Sequence, residues 1–260
     1  MISDQQQNQN NRELGLPGRI QRKVLQRTIL GFLIILILMV VFTLTLLKVK
    51  NNSEKTIIYN LEKQTINIQQ ENIQEKLISI CSDLFQLADN RYLKAYWLEQ
   101  EQEFKENMRL DFIELATHRR MYDQIRLIDI DGNELIRINF NNGTPEPVPD
   151  SLLQNKYGRY YFSESVKLSE NEFYISPLDL NIENGEIEEP IKPMLRICTP
   201  VFDANGTKRG VVVLNYFAGL IIKNIAKHEN PLIKNNLYLI NSDGYYLKGP
   251  DKESEWAFMY

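Results

Sequence analysis

The apolar positions follow three successive periods along the chain. From Ile29 to Leu47 the sequence reads ILGFLIILILMVVFTLTLL, with no charge, no proline and only Thr43 and Thr45 as polar side chains. As a helix these 19 residues span about 28 Å, against a hydrocarbon core of ~30 Å. The stretch predicts an uncleaved membrane helix at residues 29–47. A core helix would be amphipathic or shorter. A signal peptide would end in small residues at a cleavage site, and LLKVKNN offers none.

From Ser53 to Asn90 there is neither Gly nor Pro, and Tyr59, Ile66, Ile73, Ile80 and Leu87 recur every seven residues. Leu77 and Leu84 fill the complementary row, which Gln70 breaks. This seam predicts a helical stem that continues the membrane helix with little interruption. Near the membrane it suits a homodimer, and toward Leu87 it suits packing on the chain's own domain. A second helix is expected from about Glu101 to Thr117, with Phe104, Met108, Phe112 and Leu115 on one face. Tyr92, Tyr96 and Trp97 fall in the connection.

At Tyr122 the period drops from 3.6 to 2. QIRLID (Gln124–Asp129) and ELIRINF (Glu134–Phe140) flank the turn Asp131-Gly132 and predict a hairpin. FYISPL (Phe173–Leu178) follows, then MLRICTPVF (Met194–Phe202) and GVVVLNYF (Gly210–Phe217) around the turn Asp203–Gly206. The fold class is therefore α+β, with a five-strand antiparallel sheet. Asn141–Asp150 and the acidic stretch Asn181–Pro193 read as loops, and Ala218–His228 reads as a linking helix. LINSDGYYL near the end repeats LIDIDGNEL from the first hairpin, the sign of a second, similar unit. That unit has room for two strands before Tyr260, so the chain reads as truncated. The expected organisation is a tail (1–28), the membrane helix (29–47), the stem (48–118), a membrane-distal sheet unit (119–230) and the start of a membrane-proximal one (231–260).

Charge orients this picture. Residues 1–28 carry 5 basic and 2 acidic side chains, whereas those after residue 47 carry 25 basic and 32 acidic. The basic flank predicts a cytoplasmic N-terminus and an external remainder, with the lipid bilayer as a partner. The first dozen residues are polar and without periodicity, a disordered tail. The acidic balance and the lack of a basic stripe exclude nucleic acid. Cys81 and Cys198 lie among apolar neighbours and are read as two thiols rather than a disulfide.

Catalytic chemistry finds no support. His118 and His228 have no metal-ligand spacing, no Ser-His-Asp or G-x-S-x-G signature occurs, and GTKRG (Gly206–Gly210) lacks phosphate-loop spacing. No catalytic residue, metal or cofactor is expected. The sequons at Asn142 and Asn205 are chance matches.

Four blocks carry a resemblance: YDQIRLIDIDGNELIRIN (Tyr122–Asn139), KYGRYYF (Lys156–Phe162), YISPLDLNIENG (Tyr174–Gly185) and KPMLRICTPVFDANGTKRGVVVLNY (Lys192–Tyr216). Together with the membrane helix and stem they resemble the double Cache sensor domain of bacterial membrane receptors, with tandem PAS-like sheets. The resemblance implies a small-molecule pocket in the membrane-distal unit. It also implies a stem that transmits binding and an inner-membrane location. The output would lie in a histidine kinase, diguanylate cyclase or chemoreceptor module, none of which is present here.

Amino-acid-binding members of that family carry Arg-x-Trp-Tyr and a later Asp. Arg159, Tyr161 and Phe162 match the motif in part, with Tyr and Phe replacing Trp and Tyr. A guanidinium can clamp a carboxylate while aromatics wall the pocket. Asp179 is the candidate for an amine, although SPLDLN is also turn-like. Strand alternation sets Gln124, Arg126 and Ile128 on one face, where Arg126 meets either the pocket or a glutamate. Arg196 shares a face with Met194 and Cys198. Tyr174 and Asp129 are weaker candidates. The expected function is ligand sensing; the rivals are a membrane-anchored protein-binding scaffold without a pocket and an extracytoplasmic enzyme.

Overall fold

The computed structural model describes residues 18–141, 143–183, 186–227 and 237–260. The polar N-terminal tail, Asn142, His228 and the boundary at 230/231 lie outside these. The chain divides into two compact units, Met1–Glu62 and Lys63–Tyr260.

From Gly18 onward the first unit is helical. Helix α1 (Gly18–Ala88) begins there and runs without a break into the second. Phe32, Leu36, Met39 and Phe42 are exposed, as are their apolar neighbours. Thr43 and Thr45 return their hydroxyls to Met39 and Val41 carbonyls one turn back, which hides both polar groups in an apolar helix. Among the described residues this is the one helix long and apolar enough to cross a membrane.

The second unit contains the stem end of α1, then α2 (Arg91–Glu99) and α3 (Gln102–Arg119). The sequence reading left Arg91–Glu99 as a connection; it is helical. Asn90 caps it, its Oδ1 accepting from the Tyr92 and Leu93 amides, and Gln100 ends it in the left-handed region.

The main sheet comprises β1 (Tyr122–Asp129), β2 (Glu134–Asn141), β3 (Thr144–Pro147), β4 (Tyr174–Ile175), β5 (Asp179–Leu180), β8 (Pro193–Phe202) and β9 (Lys208–Phe217), in the order β3-β2-β1-β9-β8-β4 with β5 also on β8. The strand β6 (Ile182–Glu183) pairs with β7 (Glu186–Ile187) inside the acidic stretch. Three expectations are corrected here. The loop Asn141–Asp150 contains β3, the acidic loop Asn181–Pro193 contains the β6–β7 pair, and the main sheet has seven strands rather than five. Both added strands are short edge pairings that hydropathy alternation cannot reveal. Helix α4 (Tyr160–Ser165) lies between β3 and β4. Helix α5 (Gly219–Lys227) then leads toward the hairpin of β10 (Leu239–Ile240) and β11 (Tyr246–Lys248).

The predicted repeat is visible in its turns. Asp129 Oδ1 accepts the amides of Asp131 and Asn133, and Asn241 Oδ1 accepts those of Asp243 and Tyr245. Gly132 and Gly244 take φ of 85° and 88°, where a Cβ would be strained. Asp203 builds a third such turn with Asn205 and Thr207. Asp129, a weaker ligand candidate, is thus a turn residue.

Alternation separates the two faces of the sheet. Ile125 and Leu127 of β1, Ile136 and Ile138 of β2, Leu195 and Ile197 of β8 and Val212 and Leu214 of β9 share one face. They form a single core with Ile80, Leu84 and Leu87 of α1, Leu93 of α2 and Met108, Phe112 and Ala116 of α3. Each fully buried aliphatic here contributes roughly 1.5–3 kcal/mol. The stem seam therefore divides: Ile80 to Leu87 is core, while Tyr59 and Ile66 are exposed. Cys198 is buried, Cys81 is half-buried, and both are free thiols.

Candidate functional site

The opposite face of the sheet carries the charge. Gln124 and Arg126 of β1, Arg137 and Asn139 of β2, Asn215 of β9 and Arg196 of β8 stand there because they alternate with the core residues named above. Two clusters form on this face.

The first is built on Arg196, only 3% exposed. Its guanidinium donates to Asp179 Oδ1 at 2.6 Å, to the Tyr160 hydroxyl at 3.1 Å and to Asn181 Oδ1 at 3.4 Å. Tyr160 donates to the other Asp179 oxygen at 2.8 Å. Burial works against the Arg196 charge, but the neighbouring Asp179 carboxylate outweighs it and the Arg196 pKa is raised. Burial lifts the Tyr160 phenol to about 12, with Asp179 adding to the lift. The Tyr161 ring lies beneath two guanidinium groups, 5.6 Å from Arg196 and 5.9 Å from Arg159. Tyr161 and Phe162 of α4 pack with Ile128, Cys198, Val211 and Val213, and the half-buried Tyr174 closes that cluster's edge. Full burial pushes the Cys198 thiol to about 12.

The second cluster surrounds Glu134, whose side chain is 0% exposed. Arg126 Nε lies 3.1 Å from one Glu134 oxygen and Arg137 lies 3.1 Å from the other, while Lys156 Nζ is 3.9 Å away. The Gln154 amide also donates to Glu134. Arg126 reaches on to Asn215 at 3.1 Å and to Gln124. Its Nε is close to Glu134 but out of line for a hydrogen bond, so both atoms remain without a hydrogen-bond partner, as do Arg137 Nε and Asn139 Oδ1. Buried polar groups without partners are rare in folded proteins. Burial, reinforced by Arg126, holds the Lys156 pKa below the usual lysine range.

A cavity of about 200 Å³ opens at this second cluster, between Gln124, Arg137, Asn139 and Gln154 on one side and Asp123, Glu188 and Lys192 on the other. A larger cavity of about 590 Å³ lies between Phe85 and Asp89 of the stem and Thr199 and Phe202 of β8. It touches none of the buried charges on the polar face, so the smaller cavity is the better fit to the chemistry.

A family model for the sensor domain of bacterial histidine kinases matches residues 62–260. The chain belongs to this sensor-domain family. Solved sensor domains share its fold. The extracellular domain of vpHK1S-Z8, named as a histidine kinase, is 24% identical with a TM-score of 0.64, over 81% of this chain and 72% of that one. A domain of a sensory box/GGDEF family protein from Vibrio parahaemolyticus is 24% identical with a TM-score of 0.62, over 81% of both chains. The ligand-binding domain of the Campylobacter jejuni chemoreceptor Tlp3, solved with 4-methylisoleucine, is 13% identical with a TM-score of 0.59, over 77% of this chain and 72% of that one. At these identities the likeness is one of fold. No curated protein sequence matches the chain.

Within this sensor domain the sequence-predicted residues gather on one face. Arg159, Tyr161 and Arg196 stack, Asp179 pairs with Arg196, and Phe162 and Tyr174 pack alongside. Arg126 stands on this face of the sheet and meets Glu134, the glutamate alternative of its two open readings. Asp179 is not free for an amine, since each of its oxygens already accepts a donor. His118 is exposed beside Glu114. Among the described residues no three of His, Cys, Asp and Glu are grouped as metal ligands.

Sequence reasoning missed Tyr160, Asn181, Glu134, Arg137, Asn139, Lys156 and Asn215. A signal existed for three of them. Arg137 and Asn139 alternate with isoleucines in IRIN, and Asn215 interrupts an apolar run. Glu134 was concealed by the irregular register between Leu127 and Ile128. The others sit on loops or, for Tyr160, at the start of the short helix α4, where spacing carries no facing information.

Proposed function

We propose that residues 119–230 form the membrane-distal sensing unit of a receptor and that they bind a small carboxylate-bearing molecule on the polar face of the sheet. Arg126, Arg137 and Arg159 would clamp the anion, with Tyr161, Phe162 and Tyr174 as the apolar wall and Arg196–Asp179 as a fixed brace. The helix 29–47 anchors the chain in the inner membrane with its N-terminus cytoplasmic. The stem seam around Tyr59 and Ile66 joins two copies, and residues 231–260 open a second, membrane-proximal unit.

One observation carries this reading. The Arg137 guanidinium and the Asn139 amide, each with a buried atom that has no hydrogen-bond partner, line a cavity on the sheet face opposite the stem core. A molecule held there strains the same strands that grip Ile80, Leu84 and Leu87 of α1, which gives binding a mechanical route to the stem. The Tlp3 domain was solved with an amino-acid ligand on the same fold, which keeps amino acids among the candidates.

The test is a thermal-shift screen of the full chain in detergent micelles against amino acids, carboxylates, amines and sugars. A ligand at 100 times its Kd should add about 2.7 kcal/mol. Arg159→Ala should abolish that gain while leaving the unliganded melting temperature unchanged. A screen without any stabilising compound refutes the pocket, and a ligand indifferent to Arg159→Ala removes that residue from the site.

A further inference from the structure

We infer that β5 and the segment 186–192 form a strap that couples the small cavity on the polar face to the β10–β11 hairpin. This coupling belongs to the chain with or without a bound molecule and so goes beyond the ligand-binding reading. Successive side chains of a strand point to opposite sides, and in β5 the two sides meet different neighbours. Asp179 and Asn181 turn to the polar face, where both accept from Arg196, at 2.6 and 3.4 Å. Leu180, between them, is fully buried in a separate apolar core with Leu247 of β11 and Trp256. The end of β7 repeats this division. Ile187 packs against the same apolar core, while Glu188 lines the cavity of about 200 Å³. The two halves are tied together. The Glu188 amide donates to the Asn181 carbonyl at 3.0 Å, and Asn181 Nδ2 donates to the Glu188 carboxylate at 2.8 Å.

Lys192 fastens the strap to the sheet. Its Nζ lies 2.5 Å from Glu188 and 3.6 Å from Asp123 of β1, and all three residues line the cavity. Groups in the cavity wall are thus one residue along the chain from the side chains wedged beside Trp256. Trp256 is 2% exposed and has a φ of 63°. A bulky residue keeps that backbone conformation only where its surroundings impose it. Packed interiors have little slack and pass displacements on. A shift of Glu188 or Lys192 therefore loosens Leu180 and Ile187, and with them the hold on Trp256. Leu180, Leu247 and Trp256 lie outside the stem core, but Leu178 and Leu239 border both cores, so a perturbation of the stem is the control.

Tryptophan fluorescence reads the coupling. The chain has two tryptophans, and Trp97→Phe leaves Trp256 as the sole emitter in the full chain in detergent micelles. Acrylamide quenching then measures access to its ring. Glu188→Gln and Lys192→Met each remove one side of an ion pair whose members are 25% and 32% exposed, a change too near the surface to unfold the chain. Each should raise the quenching constant at least twofold. Asp83→Ala, which frees α1 from Arg119 and Tyr122, should leave it unchanged. With Leu180→Ala also present the wedge is gone, and Lys192→Met should add nothing. Chymotrypsin cleavage after Trp256, followed by mass spectrometry in the chain with both tryptophans, is a second readout and should accelerate at least twofold in the same two variants. Unchanged quenching and cleavage in either variant, or an equal rise in Asp83→Ala, overturns the strap. A Lys192→Met effect that persists undiminished beside Leu180→Ala also overturns it, because the displacement then reaches Trp256 by another path.

Discussion

Asp83 is the point at which the stem is fastened to the sheet by polar contacts. It lies on α1 with its side chain 1% exposed. One oxygen accepts both Nε and a terminal nitrogen of Arg119, at 3.1 and 2.5 Å, and the other accepts the Tyr122 hydroxyl at 2.5 Å. Arg119 ends α3 and Tyr122 opens β1, so one carboxylate ties three elements. Asp83→Ala removes these bonds at once. Breaking a buried ion pair costs roughly 3–5 kcal/mol. The Arg119 side chain is 43% exposed and regains water, so its share falls toward the surface-pair value. The buried Tyr122 hydroxyl has no such escape, and an unsatisfied buried donor costs about 1–3 kcal/mol. The expected loss is about 3 kcal/mol. At about 2–4 °C per kcal/mol for a domain of this size, the melting temperature of the full chain in detergent should fall by roughly 6–12 °C. Tyr122→Phe alone should cost about 1 kcal/mol, and adding it to Asp83→Ala should cost little more, because the orphaned hydroxyl is then absent. Strictly additive losses in this cycle, or a drop below about 2 °C for Asp83→Ala, would refute the fastening.

Two further outcomes follow from the buried groups. Cys198, Tyr160 and Tyr216 are all raised to about 12, chiefly by burial. A raised acid favours the folded state below its unfolded pKa, and that advantage is lost as pH rises toward the folded value. The unfolding free energy should therefore hold to about pH 9 and then fall steadily, by up to about 1.4 kcal/mol per pH unit for each group passed, with the melting temperature falling alongside it; a flat melting profile from pH 8 to 11 would contradict the burial of these groups. Arg196→Ala should destabilise by about 3 kcal/mol by stranding Asp179, and Asp179→Asn in the same chain should recover part of it; an unchanged melt for Arg196→Ala would show that the pair is not bracing the fold.

Periodicity made much of this protein legible. The uninterrupted apolar run, the seven-residue seam and the period of two in QIRLID, ELIRIN and VVVLNYF each depend only on neighbours along the chain, and so they can be read from it. The repeat of LIDIDG in LINSDG was equally readable, because Asp129 and Asn241 build their turns locally. The family resemblance rested on such local patterns and led to the right fold. What the sequence left open depended on partners far along the chain. Whether Arg126 pairs with a glutamate is decided by the hairpin register that brings Glu134 beside it. Whether Asp179 is free is decided by Arg196 and Tyr160, which arrive from β8 and α4. The gathering of Arg126, Arg137 and Lys156 around Glu134 likewise exists only once β1, β2 and the segment around Lys156 are brought together. Composition and alternation determined which face each residue takes; only the tertiary structure decided which charges meet there, because electrostatic energy depends on distance in space and not on distance along the chain.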